Sequence, residues 1–217
     1  AAALGYGQPL HFVLYGVLGV LPRSLALWPW APEWEGVRFV EAFMPWQLIT
    51  HGFLHADLLH LAFNMLALVM FGTPLEHRWG NRRYTVFYFV SMLGGGLCQL
   101  ALTSFLAADG GRPVPTVGAS GAIFGLLLAY ALSFPNHRIG LLFLPVMLKA
   151  RTFMALLILL QVVLAVFASD SGVAYLAHLG GALAGWLLLL WWQRPRSGPR
   201  PPRGGRRERP DHLRVVR

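Results

Sequence analysis

Six apolar runs, at residues 4–21, 54–71, 84–106, 120–134, 153–168 and 173–192, occupy about half of the chain. Runs of this length are long enough to enter a bilayer as helices, and in lipid a helix satisfies its backbone polar groups internally. Composition agrees: 56% of residues are hydrophobic and 12% charged, against roughly 25% charged in a soluble domain. The expected fold is therefore an all-α membrane protein, a bundle of six transmembrane helices over residues 1–192, followed by a basic tail at 193–217. The first run lacks a basic leader and a small-residue cleavage site and reads as a helix, not a signal peptide. A single cysteine, Cys98, excludes an intrachain disulfide framework. No metal motif of the CxxC or HExxH kind occurs.

The net charge of +9 resembles a nucleic-acid signal until it is located. Nine arginines and two acids fall in residues 193–217, among Pro195, Pro199, Pro201, Pro202 and Pro210. Such a segment is too poor in apolar residues to fold alone and suits a tail resting on anionic lipid headgroups. It lacks the interleaved aromatics that stack on bases, so no nucleic-acid partner is expected. In the body, Arg78, Arg82, Arg83, Arg138, Lys149 and Arg151 follow runs two and four, with Glu76 as the one acid. The other side carries Glu33, Glu35, Glu41, Asp57, Asp109 and Asp170 against three arginines. The positive-inside rule puts both termini in the cytoplasm. Between runs one and two, Trp28, Trp30, Trp34, Phe39, Phe43, Met44 and Trp46 mix with acids, which suits a loop embedded in the headgroup zone.

Run four is an unusual membrane segment. It opens Gly118-Ala119-Ser120-Gly121 and continues to Gly125. Glycine lowers helix propensity, but Gly121 and Gly125, four apart, leave one face nearly bare and let a neighbouring helix approach closely. Run six repeats the device at Ala177, Gly181 and Gly185, beside His178. Counting helical rise from Pro115 and Gly172 puts Ser120 about 8 Å and His178 about 9 Å below the outer surface. His55, His60 and Asn64 occupy the same outer layer of run two. Polar side chains at membrane depth face the bundle interior and mark function. The fifteen residues of run four span only about 22 Å of a hydrocarbon core of about 30 Å, which leaves room for water above it.

A serine hydroxyl becomes a nucleophile when a base lies within hydrogen-bond reach, and the two bared helix faces would bring Ser120 to His178. Asp57, Asp109 and Asp170 fall at outer helix ends as caps, so a serine–histidine dyad is expected in place of a triad. Phe124, one turn beyond Ser120, is positioned to stack on the imidazole. Acyl transfer also needs donors for a developing oxyanion. His60 and Asn64, four apart on one face, and the backbone N–H of Ser120 are the candidates. His51 and His55 lie further out, to hold water or the loop. Glu76 and Gly80 read as a capped turn, and Gly94-Gly95-Gly96 as packing.

Taken together, these pieces resemble the rhomboid family of intramembrane serine proteases. The resemblance rests on Trp46 through His51 and His55, on His55-x4-His60-x3-Asn64, on Gly72-x3-Glu76-x3-Gly80, on Gly118-Ala119-Ser120-Gly121, and on Ala177-His178-x2-Gly181-x3-Gly185, in that order. It implies a six-helix rhomboid core with Ser120 as nucleophile and His178 as general base. His60, Asn64 and the Ser120 N–H would form the oxyanion hole, supported by His55, Gly118 and Phe124. It implies cleavage of single-pass transmembrane proteins in or near their membrane segment, no cofactor, and residence as a multi-pass protein in a bacterial inner membrane. A mobile fifth segment presenting Phe153, Leu156, Leu157 and Leu160 to the polar layer would admit substrate. Family members often carry Trp-Arg before the second helix, where this chain has Trp46-Gln47.

Two other classes compete. A transporter or channel would continue the polar path inward, whereas runs four to six are apolar below the outer layer. A proteolytically dead relative would lack the serine or the histidine, and both are present.

Overall fold

The computed structural model describes residues 26–27, 33–34, 37–38, 43–108, 115–141, 144–167 and 175–194. The first apolar run, most of the aromatic loop and the arginine-rich tail lie outside the described residues. Two short strands, β1 (Glu33–Trp34) and β2 (Val37–Arg38), pair antiparallel. A short helix α1 (Gln47–Thr50) runs into a 3-10 turn at His51–Phe53. Then come α2 (Leu58–Ala67), α3 (Thr73–Trp79), α4 (Asn81–Ala108) and α5 (Ser120–Ser133), followed by β3 (Arg138–Leu141), β4 (Leu144–Lys149), α6 (Ala150–Phe167) and α7 (Tyr175–Gln193).

Four helical stretches among the described residues are long and apolar enough to cross a membrane: Leu58–Trp79, Asn81–Leu106, Ala150–Phe167 and Tyr175–Gln193. With the shorter apolar α5 among them, the chain is a multi-pass helical membrane protein. The second apolar run therefore reaches eight residues further than hydropathy suggests, through Glu76, His77 and Arg78. The Leu58–Trp79 helix, 22 residues, is about 33 Å long. Its middle widens into a π-turn at Leu68–Gly72, just before Pro74 in the first turn of α3. Proline lacks the N–H for the regular ladder and crowds the preceding turn, so the wider turn accommodates it. Asp57 caps the N-terminal end, accepting the His60 N–H at 2.7 Å. Gly80, at φ +78°, ends the helix with its N–H on the Glu76 carbonyl at 2.8 Å, and α4 starts at the next residue.

Helix α5 is the centre of the bundle. Gly121, Ala122, Ile123, Gly125, Leu126, Leu127, Ala129 and Ala131 are all buried and point in every direction around it, as a helix enclosed by other helices requires. The others leave large apolar side chains outward, including Val69, Leu97, Leu159, Val166 and Trp191. In lipid those are satisfied, so the outer faces need no further cover.

Close approach at glycines joins α4, α5 and α7. A Cβ on Gly181 would run into the Gly121 carbonyl. One on Gly95 would come within 2.6 Å of the Ala177 carbonyl oxygen, and one on Gly180 within 2.6 Å of Cys98 Cβ. Gly94 and Gly125 are likewise filled by Ala184 and Ser91. The Gly94–Gly96 run thus acts in packing, against α7 and the His51 ring. At the end of the bundle away from Ser120, Leu75, Phe87, Leu126 and Ala129 form a core rimmed by Trp79, Tyr84 and Trp192. Arg78 lies over Phe134 and Arg83 over Trp192.

The basic connection after α5 holds a β-hairpin that the apolar pattern does not announce. Ile139 pairs with Leu148 and Arg138 with Lys149, and buried Ile139 joins a core that includes Ile123, Leu127, Ala150 and Met154.

Replacing Gly181 by alanine adds a methyl where the opposing atoms are backbone and cannot rotate away. The clash outweighs the helix-propensity gain of about 1 kcal/mol, so Gly181→Ala should lose about 1–2 kcal/mol. Thermal unfolding in detergent should show a Tm several degrees lower. Gly140→Ala, which meets only the movable Met147 Sδ at 3.2 Å, should leave Tm unchanged. A Gly181→Ala protein at least as stable as wild type would contradict the backbone contact.

Candidate active site

The polar residues of the outer layer come together at the N-terminal end of α5. Ser120 is its first residue, and the five residues before it are not helical: Thr116 bridges to Leu27, and Gly118 turns at φ +122°. The helical count from Pro115 therefore does not describe the approach to Ser120, because a glycine conformation starts the helix late. Side chains avoid that φ. A Cβ on Gly118 would also lie 2.8 Å from His60 Cε1 and 2.9 Å from His60 Nε2. Glycine is thus required twice, for the turn and for the space that the His60 ring fills beside the Ser120 loop.

Two anchors hold this loop. The Gly118 N–H donates to the His51 carbonyl at 2.9 Å, and Leu27 and Thr116 exchange backbone hydrogen bonds of 2.9 and 2.8 Å. His51 is itself buried, and its Nδ1–H donates to the Gln47 carbonyl at 2.7 Å. Gln47, at 1% exposure, accepts the Met44 N–H on its side-chain oxygen at 3.1 Å. Gln47 thus fastens the segment that leads to His51. A cavity of about 10 Å³, lined by His51, Gly96, Thr116, Val117, Gly118 and Ser120 among others, lies behind the loop; it has room for about one water.

Ser120 Oγ lies 2.8 Å from His178 Nε2. The bared faces of α5 and α7 make that distance attainable, since side chains between the helices would hold the two groups apart. Phe124 lies stacked on the His178 ring, with centroids 4.3 Å apart and planes within 5°. His60 meets His55 edge to face at 5.1 Å. The Ala56 N–H points at His60 Nδ1 at 3.4 Å, a long contact. An imidazole that accepts at Nδ1 carries its proton on Nε2, which in His60 is the atom on the Gly118 side. Asn64, one turn further, is buried, and its Nδ2 has no hydrogen-bond partner among the described residues. The Ser120 N–H is in the first turn of α5, where backbone donors have no partner within the helix. No three histidine, cysteine or acidic side chains converge as metal ligands among the described residues.

One residue of the site escaped the sequence reading. Gln161 of α6 is buried, and its Oε1 accepts from His178 Nδ1–H at 2.7 Å. The place of a third residue behind the histidine is occupied, by a neutral amide. The signal was present: Gln161 is the one polar residue in the apolar stretch 153–167, and intramembrane polar side chains face inward. The expectation for the fifth segment needs correction in the same region. Phe153 and Leu157 pack on the core, but Leu156 and Leu160 are 51% and 47% exposed and face outward.

The rhomboid domain family model matches residues 42–194. The chain belongs to the rhomboid family. It is 33% identical over 198 residues to rhomboid protein 1, mitochondrial, of Saccharomyces cerevisiae, covering 83% of this chain and 53% of that protein. It is 30% identical to rhomboid protease GluP of Bacillus subtilis, over 70% of this chain and 27% of that one. It is 35% identical to RHOMBOID-like protein 1 of Arabidopsis thaliana, over 70% of this chain and 36% of that one. The chain thus spans from about a quarter to about half the length of these relatives.

Burial holds the His51 imidazole below its ordinary pKa of 6.5, partly offset by the bond to the Gln47 carbonyl. A depressed histidine pKa means that folding favours the neutral ring. Its stabilisation is complete above pH 6.5 and is lost as pH falls below that value toward the folded pKa. The Tm of wild type in detergent should therefore drop between pH 7.5 and pH 5, and His51→Asn should drop less. An equal drop in both would show that His51 takes no part.

Proposed function

We propose that the chain is an intramembrane serine endopeptidase that cleaves single-pass membrane proteins in or near their transmembrane segment. The observation that carries this reading is the 2.8 Å contact between Ser120 Oγ and His178 Nε2. The hydroxyl attacks the scissile carbonyl as Nε2 takes its proton, and the tetrahedral intermediate places a negative charge on the former carbonyl oxygen. The candidate donors for that oxygen are the Ser120 N–H, His60 Nε2–H and Asn64 Nδ2, whose amide nitrogen has no partner among the described residues. The intermediate collapses to an ester on Ser120 as His178 returns the proton to the leaving amine. Water then repeats the sequence in reverse order and frees the serine.

A membrane location suits this chemistry. Donors fixed in a low-dielectric site stabilise an oxyanion more than they would in water. The name of the Bacillus subtilis relative describes a protease, which supports the same class. The substrate leaves α-helical hydrogen bonding before its carbonyl can reach Ser120, so small, weakly helical residues at the cut favour cleavage. The basic connection after α5 carries Arg138, Lys149 and Arg151, and we place it and both termini on the cytoplasmic side, with the active site opening outward in a bacterial inner membrane. The domain boundary falls near residue 192, and the tail rests on anionic lipid.

A fluorophosphonate probe on purified protein should label Ser120, read by mass spectrometry, and Ser120→Ala should abolish both labelling and cleavage of a membrane-helix substrate. His178→Ala should cost about 10²- to 10⁴-fold in rate. A folded wild-type protein that neither labels nor cleaves would overturn the reading. Asn64→Ala should lower kcat about 10²- to 10³-fold while KM stays near wild type, as removal of an oxyanion donor does; a change confined to KM would remove Asn64 from the oxyanion hole. Because the base must be unprotonated to act, the rate should fall in acid, and a profile still flat from pH 3 to pH 8 would argue against histidine.

A further inference from the structure

Gln161 stands out chemically from the helix that carries it. The residues of α6 buried within the protein are Ala150, Met154 and Gln161, four and seven apart and therefore on one face. Ala150 and Met154 fit an apolar core. Gln161 brings the one polar group on that face, 7% exposed, and spends its carbonyl oxygen on His178 Nδ1 at 2.7 Å. α6 is also the least enclosed of the membrane-length helices, with 17% of its apolar window buried against 33% for α7. The residue is a single polar tie between a peripheral helix and the imidazole beside Ser120.

That tie settles a question the other contacts leave open. Neutral imidazole carries one proton, on either nitrogen, and only the unprotonated one can act as a base. Stacking on Phe124 fixes the plane of the ring, but it is indifferent to which nitrogen holds the proton and to a half-turn of the ring within that plane. Ser120 does not decide either, since a hydroxyl both donates and accepts. An amide carbonyl oxygen only accepts. With Gln161 Oε1 against Nδ1, the proton must sit on Nδ1, and Nε2 presents its lone pair to Ser120 Oγ.

We propose that Gln161 is a positioning residue for His178: it selects the Nδ1–H tautomer and the ring orientation, and so makes a competent base conditional on α6 being seated against α7. This rests on reading Ser120 and His178 as the reacting pair. During the reaction Nε2 takes the serine proton while Nδ1–H stays bonded to the amide oxygen, so the amide orients the ring and loses or gains no proton itself. An amide suits the place better than a carboxylate. A buried carboxylate beside lipid would need a compensating charge, whereas the amide offers the same acceptor geometry without one. An outward displacement of α6 would take Oε1 from Nδ1 and free the ring to adopt the tautomer that cannot accept the serine proton.

The test uses the full chain in detergent micelles. Gln161→Leu keeps the volume and suits an apolar helix, but removes the acceptor. Gln161→Glu keeps an acceptor oxygen at the same reach, whether or not it is ionised. Cleavage kinetics of a membrane-helix substrate should show kcat lowered about 10- to 100-fold in Gln161→Leu, the range found when the partner that orients a metal-bound histidine is removed. KM should stay within about twofold of wild type, and Gln161→Glu should recover most of the rate. In parallel, nitrogen NMR of protein labelled with ¹⁵N-histidine, with the His178 signal identified by its loss in His178→Ala, reads the tautomer directly. Wild type and Gln161→Glu should show Nδ1 protonated, and Gln161→Leu a mixture or the opposite tautomer. Because the tautomer needs no turnover, a wild type that cleaves nothing yet shows this pattern would defeat the protease reading and leave only the tautomer selection by Gln161 standing. Three results would overturn the proposal: wild-type kcat in Gln161→Leu, an unchanged Nδ1–H signal in Gln161→Leu, or equal loss of activity in the leucine and glutamate variants.

Discussion

The structure depends on one kind of contact, helix backbone against helix backbone, made where Gly121 of α5 meets Gly181 of α7 and where Gly95 of α4 meets Ala177. In lipid no hydrophobic force draws helices together, because the tails are as apolar as leucine, and packing must supply the attraction. Removing side chains from the contact lets whole helix surfaces touch. It also determines how far the residues beside the bare faces stand from one another. Ser120, next to Gly121, and His178, three before Gly181, are brought within a hydrogen bond by the glycines that flank them.

The site is built almost wholly from neutral groups. His178 is tied to a glutamine, His60 is oriented by a backbone N–H, and His51 is tied to a backbone carbonyl. Charged groups sit at the periphery: Asp57 caps a helix end, and Arg78 and Arg83 lie over aromatic rings at the inner side. In a medium that penalises unpaired charge, histidine and amide groups arrange donors and acceptors without ionic partners. The cost is dependence on tautomers, since each neutral ring offers one donor and one acceptor and its neighbours decide which is which. The rhomboid fold of this chain carries that dependence outward, through Gln161, to a helix with most of its surface in lipid.

Much of the fold was legible in the residues because membrane helices declare themselves by length and hydropathy. Runs three to six begin or end within three residues of the observed helices. The misses have local causes. Run two was cut short at Phe71 because Glu76, His77 and Arg78 look like a loop, although a helix emerging from lipid continues into the headgroup zone with such residues outward. The hairpin of β3 and β4 was invisible because its strands are short and its pairing is decided between residues up to eleven apart. The loop before Ser120 was counted as helical because only the positive φ at Gly118 delays the helix.

The sequence by itself determined the membrane class, the bare glycine faces, and Ser120, His178, His60 and Asn64 as polar residues of apolar segments. Each of these can be read within a single segment, whereas the depth of Ser120, set by the turn at Gly118, cannot. Tertiary structure alone decided which atom faces which: Nε2 of His178 toward Ser120, Nε2 of His60 toward Gly118, and Gln161 behind His178 in place of an acid. Gln161 and His178 sit on different helices, and their meeting depends on the rotation and crossing of α6 and α7. Those are settled by the packing of all the helices together, a property that no window of sequence contains.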